Sequence, residues 1–234
     1  MPSMSIRGVD PKKLFFTSDT HYGHRWIAVD DHRAERMGLS GYQSDLTHLM
    51  GEELLRQHNA VVPPDGITFN IGDFTYTSAE EGIGILGRMH GLKYLVMGNH
   101  DFLFNNEFHV GNIFPSAWDG VYESRLELNL TNLDLSEYPN CKGTELMIVL
   151  DHYPMEEWNH AWRGAWHLHG HCHAKFCLDV PNPKFTRYDV GVDSRDRLPR
   201  RYMLEGATSF APFSLDELIR LTPGPVEYSK TFRA

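Results

Sequence analysis

The 234-residue sequence predicts an α/β sandwich with a mixed sheet core. Three observations carry this. Short apolar runs bounded by turn residues recur along the chain. Helical patterns lie between the early runs. A later segment alternates apolar and polar side chains as a half-exposed strand does.

The strand-length runs are Leu14 to Thr17, Ile67 to Ile71, Tyr94 to Met97, Glu145 to Leu150, Trp166 to Leu168 and Tyr188 to Val192. Most are rich in Ile, Val or aromatic residues, and near-continuous apolar runs suit strands covered on both faces. After the first run, Ser44 can cap a helix with Leu46, Met50 and Leu54 on one face. After the second, Ser78 and Glu81 read as a capping box ahead of Ile83, Leu86 and Met89, with Gly91 as terminator. Gly82, Gly84 and Gly87 weaken that helix. From Tyr122 to Leu130 the pattern puts Leu126, Leu128 and Leu130 on one side. Ser214 and Glu217 form another capping box before Leu218 and Ile219. The first half therefore reads β-α-β-α-β and the middle mostly β. No repeat or linker interrupts residues 1–234, which read as one domain.

The bulk composition is ordinary for a globular chain, with 41% apolar and 23% charged residues. Three cysteines (Cys141, Cys172 and Cys177) without paired spacing argue for a reducing compartment. No window approaches the roughly 18 apolar residues of a membrane span, and the N-terminus lacks a signal-peptide pattern. The expectation is a cytoplasmic protein with no membrane association and no obligatory protein partner. A formal charge of −9 disfavours a long basic groove for duplex nucleic acid. The 14 histidines are the unusual feature, because histidine is the commonest metal ligand and a frequent general acid or base.

Five polar clusters stand at the ends of these strands: Asp19-Thr20-His21, Gly72-Asp73, Gly98-Asn99-His100-Asp101, Asp151-His152, and Gly170-His171-Cys172-His173. In open α/β sheets, ligands bind outside the carboxyl ends of the strands, so all five can converge on one crevice. Glycine precedes three of them, which permits a sharp turn and close backbone approach. Asp19 and His21, like His171 and His173, are two apart. In extended chain that puts each pair on one side and turns Thr20 and Cys172 away. The donors are nitrogen and oxygen with no thiolate, a set suited to Mn, Fe, Zn, Ni or Co. Two ions ~3.5–4 Å apart need a bridging carboxylate, which Asp can supply and Asn or neutral His cannot. Any one cluster alone reads as a polar turn. The complete ordered set outweighs that reading.

With these residues in order, the sequence resembles the calcineurin-like metallophosphoesterases, across all five family blocks from Asp19 to His173. The resemblance implies a four-layer α/β/β/α sandwich with two mixed β-sheets, the metallo-dependent phosphatase fold. It implies two divalent transition-metal ions, with manganese the foremost expectation. Asp19, His21, Asp73 and His173 would hold one ion; Asp73, Asn99, His152 and His171 would hold the other, with Asp73 as the bridge. It also implies His100 beside the scissile phosphate, oriented by Asp101. Departures from the Ser/Thr protein phosphatase branch are specific. That branch resembles Gly-Asp-x-x-Asp-Arg-Gly at its second motif, whereas here Gly72-Asp73 runs into Phe74-Thr75-Tyr76-Thr77. His24, the His152-Tyr153-Pro154-Met155 run and Val190-Gly191-Val192-Asp193 look like small bacterial or phage phosphoesterases.

The expected function is hydrolysis of phosphate esters by metal-activated hydroxide, with His100 assisting at the departing oxygen. Phosphodiesters are expected over monoesters, because no cation follows the second motif. The expected substrate is a small phosphate ester, including a nucleotide or short single-stranded nucleic acid. His24, Arg25 and Arg163 are candidate substrate contacts, and Arg195 a further possible phosphate clamp. Two other readings stand beside this one. One is a metal-binding scaffold without catalysis; the other is a phosphomonoesterase or protein phosphatase. Trp158, Trp162 and Trp166 read as core aromatics, His167 as core or a supporting hydrogen bonder, and His169 as packing beneath the site. His32, His48, His58, His90, His109 and His160 read as surface or structural.

Overall fold

The computed structural model describes residues 2–103, 112–175, 185–195, 210–222 and 224–228. In chain order the strands are β1 (Ser3–Arg7), β2 (Leu14–Thr17), β3 (Ile67–Asn70), β4 (Leu92–Val96), β5 (Phe102–Leu103), β6 (Asn112–Ile113), β7 (Gly120–Tyr122), β8 (Leu126–Thr131), β9 (Cys141–Lys142), β10 (Leu146–Leu150), β11 (Trp166–His169), β12 (Arg187–Asp189), β13 (Phe213–Ser214) and β14 (Val226–Glu227). The helices are α1 (Arg33–Arg36), α2 (Gln43–Val61), α3 (Ala79–Arg88), α4 (Val192–Arg195) and α5 (Leu215–Leu221).

The fold is α/β with two mixed five-stranded sheets. The first runs β13-β2-β3-β4-β7, with β2, β3, β4 and β7 parallel and β13 antiparallel to β2. The second runs β1-β8-β10-β11-β12, with β8 and β10 antiparallel and the other pairs parallel. Buried side chains from both sheets pack together: Phe16, Phe69 and Val96 from one, Leu128, Ile148 and Leu168 from the other. This explains the uninterrupted apolar runs of β2 and β10, whose every residue is buried.

The outer face of the first sheet carries α2 and α3, with Met50, Leu54, Leu86 and Leu95 in one cluster. On the outer face of the second sheet, Met147 and Val149 meet Trp158, Ala161 and Ala165. Among the described residues that cover is a loop with the 3-10 turn Ala161–Arg163 and no α-helix. Nor is any helix among them long and apolar enough to cross a membrane.

The capping boxes at Ser78/Glu81 and Ser214/Glu217 both form, each closing the first turn of its helix. Other expectations are corrected. Tyr42, not Ser44, takes the extended cap conformation ahead of α2, and the Ser44 hydroxyl donates to Asp45 instead. The segment Tyr122 to Leu130 is two strands in two sheets: β7 joins β4, while β8 starts at Leu126. Its buried Leu126, Leu128 and Leu130 do alternate with half-exposed neighbours. Val192, expected in a strand, opens the helical turn α4. Trp158 and Trp166 are core, but Trp162 is 66% exposed. Cys177 and His109 lie outside the described residues.

Candidate metal centre

Parallel pairing of β2, β3 and β4 puts their C-terminal ends side by side, and the first two motif loops continue the ladder past the strands. Asp19 N–H donates to Gly72 O at 3.0 Å, and His21 N–H to Asp73 O at 3.0 Å. The third loop locks onto the second in both directions: Asp73 Oδ1 accepts the His100 backbone N–H at 2.9 Å, and Asp101 Oδ2 accepts that of Asp73 at 2.7 Å. From the other sheet, His171 N–H donates to both Asp19 oxygens at 3.0 and 3.1 Å. Gly170 N–H donates to His152 O at 3.1 Å. The five predicted clusters thus meet in one place.

The loops approach so closely that side chains would not fit at any of the three motif glycines, Gly72, Gly98 and Gly170. A Cβ at Gly98 would lie 2.3 Å from Asp73 Oδ1, and one at Gly170 would lie 1.9 Å from Ser18 Oγ. The geometry inside the clusters differs from the extended chain expected. Asp19, His21, Asp73, His171 and His173 all have positive φ, between 46° and 69°. Side chains two apart therefore converge through left-handed turns, not through strand alternation. Each such residue stores roughly 1 kcal/mol or more of strain, and five of the nine positive-φ non-glycine residues described are these ligand candidates.

Two compact donor groups result: Asp19, His21 and His173, and Asp19, Asp73 and His152, each with ligand atoms within 4.8 Å of one another. Asp73 Oδ2 also lies 3.6 Å from His21 Nε2 and 3.3 Å from His152 Nε2, so it reaches toward both. Asn99 Oδ1 sits 3.1 Å from His152 Nε2 and 3.0 Å from His171 Nδ1. The donor chemistry suits divalent cations. Both ring nitrogens of His21 are buried and have no hydrogen-bond partner among the described residues, which a buried imidazole rarely tolerates. His152 Nδ1 faces the Ile71 carbonyl at 2.8 Å, which holds Nε2 toward Asp73 and Asn99. With three acceptor oxygens around that ring, only a proton or a metal ion satisfies Nε2.

The electrostatics agree. Burial pushes the Asp19 carboxyl up to about 6. Burial would also raise Asp73, but the hydrogen bond and charge of His152 hold it down at about 2. For His152, burial is outweighed by Asp73 and Asp19, which raise the ring to about 9. The ring acts as a stand-in cation, and metal binding there would release its proton.

The supporting shell contains residues that sequence reasoning missed. His173 Nδ1 hydrogen-bonds to Asp193 Oδ2 at 2.8 Å, leaving Nε2 toward Asp19 Oδ1 at 3.7 Å. Asp193 is held in turn by buried Arg33, through Nε at 3.1 Å and Nη2 at 2.5 Å, and by Arg36 at 2.8 Å. Arg33 also donates to the Thr20 carbonyl at 2.9 Å, tying this network to the first motif. A contact 160 residues apart has no local signature. The only hint was an Asp closing the Val190-Gly191-Val192-Asp193 run. Asp193→Asn is expected to lower metal affinity at the His21–His173 group by roughly 10–100-fold, the usual scale for such supporting partners, and to spare the His152 group. Metal titration of the folded variant checks this; equal loss at both groups would show general damage instead.

Other expectations are revised. Asp101 does not serve the His100 ring. Its buried carboxylate accepts the backbone N–H groups of Asp73, Gly98 and Phe74 at 2.7, 2.9 and 3.0 Å, so it staples the second and third loops. Arg25 is exposed and faces Asp30 and Gln43, each at 3.4 Å. Arg163 lies just before β11 begins, and parallel pairing of β10 and β11 puts that point at the edge opposite the centre. Arg195 is fully buried against Glu217 at 2.5 Å. His24 is half-buried beside the candidate centre, its ring centroid 5.3 Å from that of His21 and 6.3 Å from that of His100. His167 is buried between the Val149 and Tyr153 carbonyls, and His169 is buried beneath the site.

No protein-family model matches the chain, and no curated protein matches it. Among solved structures it is similar to the crystal structure of the protein of unknown function AQ665 from Aquifex aeolicus, with a TM-score of 0.58 and 19% identity over 89% of this chain and 98% of that one. At that identity the likeness speaks for the shared fold alone.

Proposed function

We propose that this chain is a two-metal phosphoesterase of the calcineurin-like kind, built on the four-layer form of its α/β fold, and that it hydrolyses phosphodiesters in preference to monoesters. One observation carries the reading. Seven nitrogen and oxygen donors from five separate loops converge beside His100, and within them the two buried ring nitrogens of His21 have no hydrogen-bond partner among the described residues. Divalent transition-metal ions, manganese foremost, would supply Lewis acidity toward phosphoryl oxygens and lower the pKa of a water. Asp19, His21, Asp73 and His173 would hold one, and Asp73, Asn99, His152 and His171 the other. His100, with its ring centroid 5.5 Å from that of His21, would give a proton to the departing oxygen. His24 stands next to it as a second donor.

The preference for diesters rests on the cations. A monoester dianion is best held by additional positive groups. Phe74, Thr75 and Tyr76 after the second motif offer none, Arg33 and Arg195 are buried in ion pairs, and Arg163 is at the wrong edge. A diester carries one charge and needs more help at the leaving oxygen, which His100 supplies. After manganese loading, elemental analysis should find about two ions per chain. The kcat/KM for bis(p-nitrophenyl) phosphate should then exceed that for p-nitrophenyl phosphate. A clear monoester preference overturns the diester assignment. Two ions with no ester turned over would favour a metal-binding scaffold.

A further inference from the structure

Beside the candidate centre, a cleft of about 650 Å³ lies between α2 and α3. That is the size of a small-molecule site. Gly23 and Tyr76 are among the residues that line it. The Tyr76 ring centroid is 4.2 Å from that of His24 and 6.0 Å from that of His100, so the cleft and the candidate centre share a wall. The floor is apolar, from Tyr22, Leu55 and Ile85, and the rim is polar, from Thr47, His48 and Ser78.

Charge and space narrow the occupant. Arg88, the one Arg or Lys in the lining among the described residues, is held bidentately by Glu52 at 2.6 and 2.7 Å. Glu81 adds a second carboxylate. Such a lining repels phosphate and suits an uncharged group with hydroxyls to donate. Tyr76 in the lining gives a flat face for a ring to stack on. Gly84 faces this cleft from the middle of α3, where a Cβ would meet nothing within 4 Å. Glycine there weakens the helix without any packing reason. Open space is what it provides.

We infer that this cleft is a subsite for the nucleoside part of the ester, its base against Tyr76 and its hydroxyls toward the Glu81 rim, while the phosphate stays at the metal centre. This rests on the phosphoesterase reading and narrows its substrate to nucleotide diesters. The test fills the cleft with Gly84→Phe, whose Cβ would meet no described atom within 4 Å and which replaces no ligand candidate. Manganese-loaded wild type and variant are compared on thymidine 5′-(p-nitrophenyl phosphate) and bis(p-nitrophenyl) phosphate. Thymidine binding to both proteins is followed separately by NMR.

The expected result is a loss of at least tenfold in kcat/KM on the thymidine ester, carried by KM, with bis(p-nitrophenyl) phosphate unchanged and thymidine binding lost in the variant. Thymidine binding that disappears with Gly84→Phe supports the subsite even if neither ester is turned over, which separates its fate from that of the hydrolase reading. Absence of thymidine binding to wild type, or equal behaviour of the two proteins on the thymidine ester, overturns it.

Discussion

Asp73→Asn is expected to weaken metal binding at both donor groups together, by at least ~10²-fold, above the usual range for supporting partners alone. The substitution is close to isosteric. Asn keeps an oxygen for the His100 backbone N–H, and the backbone N–H of residue 73 still reaches Asp101. What changes is Oδ2, the atom 3.6 Å from His21 Nε2 and 3.3 Å from His152 Nε2. An uncharged amide nitrogen there cannot ligate and presents hydrogens to both rings. The negative charge that offsets two divalent ions is lost as well. His173→Ala, by contrast, removes a donor from the Asp19–His21–His173 group only, so one ion should remain.

The structure also provides the competitor to this assignment. Asp19 belongs to both compact groups, and if it is the shared ligand, Asp73→Asn leaves the ion at His21 and His173 in place. Isothermal titration with manganese on wild type, Asp73→Asn and His173→Ala distinguishes the two. Loss of both ions in Asp73→Asn and of one in His173→Ala is the expected pattern. One ion retained by Asp73→Asn at His21 and His173 would make Asp19 the shared ligand and end the bridge assignment, as would two ions retained.

The parts of this molecule that depend on local pattern were legible, and the parts that depend on distant contacts were not. β2 and β10 could be read because residues buried on both faces leave an apolar run of strand length. Two helix starts could be read because a capping box is a four-residue device. The candidate donors could be picked out because each cluster follows a strand. β1 left no comparable run: its burial alternates along an edge, with every residue at least partly exposed. The left-handed turns at Asp19, His21, His171 and His173 were invisible because Asp and His tolerate that region without requiring it. Arg163 looked usable because sequence distance does not reveal which end of a parallel strand a crossover returns to. Asp101 looked like an orienting carboxylate because of its neighbour. Its true partners, the backbone amides of Asp73 and Phe74, become neighbours only when β3 and β4 pair.

That correction sharpens what His100→Ala should do. The variant is expected to keep both metal ions and to lose about 10²-fold or more in kcat, the scale of general acid catalysis. Retention follows from how residue 100 is attached. It holds Asp73 through its backbone N–H at 2.9 Å, which alanine preserves. Asp101, which staples the loops, is bound through backbone partners and does not need the ring. The imidazole itself is half-buried among His21, His24 and Tyr76, with ring centroids 5.5, 6.3 and 6.0 Å away, so its removal opens space without stranding a buried donor. If the ring protonates the leaving oxygen, the loss should depend on the leaving group. It should be large for an alkyl alcohol and small for p-nitrophenol, which departs without a proton. A series of aryl and alkyl diesters, measured on metal-loaded wild type and variant with metal content determined on the same samples, reads this directly. An equal loss across the series would assign the ring to holding the phosphate. Loss of metal from His100→Ala would make His100 a ligand and overturn its place in the mechanism.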